Sequence, residues 1–177
     1  MRRIAVLLIA LMAWAPTRLP AAEPVTARGA ELLKPFKQQL MSALQAGLAG
    51  GAPLAIEVCQ LQAPAIADAL SVDGVRMGRT SHRLRNPDNA GPAWAREAMT
   101  AYLQADNAPQ PRTIMLPGGR QGYVEPIRVQ TQCLACHGQA LAPDVARAIA
   151  ERYPEDQATG FTEGDLRGAF WVEYPAP

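Results

Sequence analysis

The chain has 177 residues, with 17 Lys and Arg against 16 Asp and Glu, 49% apolar and 19% charged residues, three cysteines and two histidines. That length suits one domain with a leader and is ample for a buried core, and the apolar share excludes a disordered chain. A formal charge of +1 leaves no electrostatic footprint for nucleic acid, and three cysteines are too few for a disulfide scaffold.

Met1-Arg2-Arg3 precedes an uncharged apolar run, Ile4 to Trp14, and Leu19-Pro20-Ala21-Ala22 follows with small residues. This order predicts a signal peptide over residues 1–21 and a single domain over 22–177. The run is too short for a bilayer core, which takes roughly 20 helical residues, so no membrane span is expected after cleavage. Cleavage removes three of the basic residues (Arg2, Arg3 and Arg18) and no acidic one, which gives the exported chain a net charge of −2. The expected location is the periplasm, an oxidising compartment in which an unpaired thiol stands out.

In the mature chain Leu32, Phe36, Leu40, Leu44 and Leu48 recur every four residues, which predicts an amphipathic helix over Val25 to Leu48. Pro35 marks a kink or a later start near Lys34. A second helical stretch runs from Leu54 to Leu70, interrupted at Pro64. Val75 to Ser81 reads as a strand, Arg85 to Pro92 as turns, and Ala93 to Ala105 as a helix. Arg112 to Leu116 and Tyr123 to Val129 read as strands joined through Pro117-Gly118-Gly119. A helix over Ala142 to Tyr153 and a strand over Arg167 to Tyr174 complete the pattern. No βαβ alternation is present, so the expected fold is α+β: an antiparallel sheet flanked by helices.

Cys133-Leu134-Ala135-Cys136-His137 is a C-x-x-C-H sequence, the attachment signature of c-type haem. Thiols three positions apart can form thioethers to the two vinyl groups of one porphyrin, and the adjacent histidine then serves as an axial iron ligand. A structural disulfide is the plainer reading of the pair. A thioredoxin-like redox site needs a parallel βαβ frame that is missing here. The motif predicts one covalent haem c, with iron, bound through Cys133, Cys136 and His137. Candidates for the opposite axial position are Cys59, His82 and the methionines Met41, Met77, Met99 and Met115. No methionine follows the motif, which disfavours the small all-helical cytochromes. Arg76, Arg79, Arg83 and Arg85 form a basic run that suits either haem propionates or a solvated loop held by Asp73 and Asp88.

From Leu32 to Tyr174 the chain resembles a c-type haem family of periplasmic sensor-like domains with a PAS-like fold. The resemblance rests on Ala55-Ile56-Glu57-Val58-Cys59, Gly78-Arg79-Thr80-Ser81, Arg85-Asn86-Pro87-Asp88-Asn89, Trp94 and the haem motif. It implies a PAS-like α+β domain in which Cys59 ligates the iron opposite His137. It also favours Arg79 and Arg85 as the haem-binding arginines of the basic run. The expected function is a redox or small-ligand (gas) sensing monohaem domain, read by a separate redox partner or signalling protein. Single-electron carriage is the alternative, and peroxidase-type catalysis is not expected.

Overall fold

The computed structural model describes residues 25–176, so the leader expected over residues 1–21 lies outside the described residues. Helix α1 runs Val25–Ala49 and packs against α2, Ala52–Leu70. Both helices continue through their prolines, where breaks were expected. Pro35 and Pro64 are exposed, so the carbonyl that each deprives of an amide partner is on the solvent side, where water replaces the lost bond.

Strands β1 (Arg76–Thr80), β2 (Arg112–Leu116), β3 (Arg120–Arg128) and β4 (Leu166–Pro175) form one antiparallel sheet in the order β1-β4-β3-β2. The remaining helices are α3 (Ala93–Gln104), the single turn α4 (Leu134–His137) and α5 (Pro143–Arg152). Helices with an antiparallel sheet is the expected α+β class.

Alternation along β4 decides what each sheet face meets. Phe170, Val172 and Tyr174 face α1, where Leu33 and Phe36 join Met77 and Tyr123 in one core. On the opposite face Ala169 and Val124 pack against Ala98, Met99 and Tyr102 of α3. A smaller cluster joins Ile56 of α2 to Val145, Ile149 and Tyr153 at α5.

The seating of α1 on the sheet depends on Gly29, where an added methyl would lie 2.2 Å from Tyr123 Cγ. In Gly29→Ala the helix gains about 1 kcal/mol of propensity, but overpacking a core costs about 1–3 kcal/mol. The net expected outcome is a lower urea midpoint. An unchanged or raised midpoint would contradict this seating.

Tyr102 gives the fold an alkaline limit. Its hydroxyl lies 2.8 Å from the carbonyl oxygen of Gln110 and 3.1 Å from that of Val124, and burial pushes its pKa up to about 12. The folded state therefore keeps a proton that the unfolded chain releases near pH 10. The contribution of Tyr102 is constant below pH 10, then falls by about 1.4 kcal/mol per pH unit between pH 10 and 12. Alkaline denaturation of Tyr102→Phe is expected to lose one proton's share of this slope.

Candidate functional site

A 3-10 turn, Thr131–Cys133, runs directly into α4, which sets Cys133 and Cys136 one helical turn apart with His137 next in line. Cys133 Sγ accepts the amide of Gln130 at 3.4 Å. Cys59, Cys133 and Cys136 are all free and half-buried. Burial pushes the Cys136 thiol up, against the pull of Arg85.

The segment after α5 clamps this turn. The Phe161 amide donates to His137 O at 2.9 Å and the Gly160 amide to Gly138 O at 2.8 Å. Most consequential is the imidazole, whose Nδ1 lies 2.6 Å from the carbonyl oxygen of Ala158. A carbonyl only accepts, so the proton belongs on Nδ1 and the Nε2 lone pair is left bare. Burial, with the nearby charges of Arg167 and Arg85, pushes the His137 pKa down to about 3. The ring is neutral at physiological pH, the form that ligates a metal.

Cys59 comes to the same region from α2. Burial pushes its thiol up, while Arg79 and Arg85 pull it down; Cys136 and Tyr153 are also close enough to feel its charge. Phe161 stands edge-on to His137 and to His82, with centroids 6.4 and 5.9 Å apart. The guanidiniums of Arg83 and Arg167 lie 4.4 and 5.5 Å from its ring centre.

The arginines divide by how fully they are used. Arg85 donates from Nε to Asp156 Oδ1 at 3.1 Å and from Nη2 to Cys136 O at 2.6 Å. Arg167 donates from Nη1 to Ser81 Oγ at 2.9 Å, but its buried Nε has no partner. Arg79 has no side-chain hydrogen bond or ion pair among the described residues, although burial depresses its pKa. Asp156 is paired with Arg85 and acts on Arg167 only at longer range, so Arg79 and Arg167 have no ion-pair partner among the described residues in a partly desolvated place. Such a place suits an anionic ligand.

The distinctive sequence segments also have local reasons. Thr80 Oγ1 donates to Ala90 O at 2.6 Å. Ser81 Oγ accepts the amide of Arg83 at 3.0 Å and the guanidinium of Arg167 at 2.9 Å. Asn86 Oδ1 accepts the amide of Asp88 at 3.0 Å and so closes the turn before α3.

The structure thus gathers Cys59, Arg79, Arg85, Cys136 and His137, with Cys133 at the head of the same turn. The methionines are elsewhere: Met77 and Met99 lie in the two sheet cores, while Met41 and Met115 are 46% and 66% exposed. His82 is exposed and meets His137 only through their shared neighbour Phe161. Sequence reasoning missed Tyr153, Asp156, Phe161 and Arg167. Of these only Arg167 carried a signal, as a charge opening an otherwise apolar strand. Among the described residues no three His, Cys, Asp or Glu side chains converge as a metal cage, and no helix is long and apolar enough to cross a membrane.

Fold and site together define a class: a four-stranded α+β domain with a C-x-x-C-H turn whose histidine and second cysteine lie within the electrostatic reach of several arginines. The chain belongs to the Tll0287-like family, which matches residues 17–175. It is similar to the crystal structure of the cyanobacterial heme-protein Tll0287, with 27% identity and a TM-score of 0.63 over 82% of this chain and 91% of that one. No curated protein matches the chain.

Proposed function

We propose that this chain is a periplasmic monohaem c-type cytochrome acting as a redox- or gas-sensing PAS-like domain, with His137 and Cys59 as axial ligands. The observation that carries the reading is the His137–Ala158 bond of 2.6 Å beside two free thiols at i and i+3. It holds a neutral imidazole with Nε2 bare where a haem attachment turn needs its axial ligand. The family membership and the similarity to a heme-protein support the same cofactor.

The residues present fit haem. Cys133 and Cys136 would hold the porphyrin through its vinyl groups, and His137 and Cys59 the iron. Arg79 would meet the propionates with its unspent guanidinium, with Arg85 beside it. Bound haem supplies a one-electron iron couple and an axial position that a diatomic gas can take.

What the chain adds is a Cys59 at which burial outweighs the pull of the neighbouring arginines, so that the free thiol is held above its ordinary pKa. Burial favours its protonated thiol, whereas Arg79 and Arg85 favour the thiolate. A thiol that favours its proton when free is suited to release when the pull of the metal weakens, as a switch requires. That preference favours sensing over simple electron carriage. A thiolate-capped iron also argues against an enzyme. The readout then falls to a separate redox or signalling partner.

The test is an optical spectrum of the periplasmically expressed protein with and without dithionite, with a pyridine haemochrome assay. Covalent haem at one per chain, and CO or NO binding only after reduction, is the expected result. Absence of haem would overturn the reading. Fast electron exchange without ligand binding would favour the carrier, and peroxide turnover the enzyme.

A further inference from the structure

We propose that Arg85 is a positioning residue for His137: it fixes and shares the carbonyl that receives the imidazole proton, and so sets how electron-rich the ring is. The inference rests on the haem reading above, since it concerns His137 as an iron ligand. Nη2 of Arg85 lies 2.6 Å from Cys136 O and 3.3 Å from Ala158 O, the same oxygen that takes the His137 Nδ1 proton. Nε donates to Asp156 Oδ1 at 3.1 Å, and that oxygen also accepts the Ala158 amide at 2.9 Å. Both backbone groups of Ala158 are therefore held by one ion pair, whose side chains are 13% and 8% exposed. Just before this point, the Gln157 amide donates to Leu84 O at 2.8 Å, which ties the two segments together.

The arrangement has a chemical consequence. A carbonyl oxygen shared between two donors offers less to each, and here one donor is a cation. The imidazole therefore gives up less of its Nδ1 proton than it would to an unshared oxygen. It is a weaker donor to iron, and the ferrous state is favoured. Arg85 thus differs from Arg79: the first orients a ligand, while the second keeps its guanidinium free for the bound group.

Arg85→Lys tests this in the full exported chain, because it keeps the charge and loses the planar fork that reaches two carbonyls and a carboxylate at once. Haem content by pyridine haemochrome is measured first, then the reduction potential. The expected result is retained haem, with the Fe(III)/Fe(II) equilibrium shifted about tenfold toward Fe(III), about 59 mV for a one-electron couple. Asp156→Asn keeps an acceptor for the Ala158 amide but loosens the grip on Arg85. It is expected to shift the potential the same way, opposite to the rise that loss of a negative charge alone produces. An unchanged potential in Arg85→Lys, or a rise in Asp156→Asn, overturns the inference and leaves the haem reading standing. Absence of haem from the unmodified chain overturns both.

Discussion

Serine at both Cys133 and Cys136 is expected to take covalently bound haem from one per chain to background. The thioether bond needs a sulfur nucleophile to add across a vinyl group, and a serine hydroxyl at the same place does not do so. Position reinforces the effect. The third cysteine sits on α2 rather than on the attachment turn, so it does not take over the role. Haem staining of a denaturing gel checks the outcome, because only covalent haem survives unfolding. The stain should vanish in the double variant while the single variants keep one thioether each. A double variant that still stains would mean that the C-x-x-C-H turn is not the attachment point.

The second large effect belongs to Cys59→Ser. A thiolate donates electron density to iron and lowers its reduction potential, and a serine hydroxyl does this poorly. The expected changes are a ferric spectrum and EPR signal that lose their thiolate character, a raised potential, and small-ligand binding without prior reduction. The fold should tolerate the change. Cys59 is half-buried and near Arg79 and Arg85, so a hydroxyl there is neither sealed in apolar surroundings nor far from donors. Identical optical and EPR spectra in the two proteins would remove Cys59 from the iron.

How much of this was legible from residues alone varies from element to element. Helix α1 announced itself through leucines at four-residue spacing, and β4 through Phe170, Val172 and Tyr174 alternating with Trp171 and Glu173. These patterns are legible because burial repeats with the period of the backbone. Pro35 and Pro64 misled because a proline breaks a helix only where its lost bond has no substitute, and exposure is not written in the sequence. At the site, Cys133, Cys136 and His137 were legible because their chemistry demands fixed spacing. Ala158 was not, since its contribution is a carbonyl that every residue carries. Asp156 and Phe161 were likewise hidden, because only the return of the chain past α4 brings them to Ala158 and His137. The two motif arginines had looked equivalent. Their hydrogen bonds separate them.

The position of β4 in the sheet carries a consequence for timing. It is the last of the four strands in sequence, yet it lies between β1 and β3, which have no other link within the sheet. The C-x-x-C-H turn at Cys133–His137 therefore precedes, in the chain, the strand that joins the two halves. Pairings across such long sequence separations are slow to form. The final strand also carries Arg167, near its leading end, to Phe161 and His137, so this arginine reaches the C-x-x-C-H turn only once the last pairing forms.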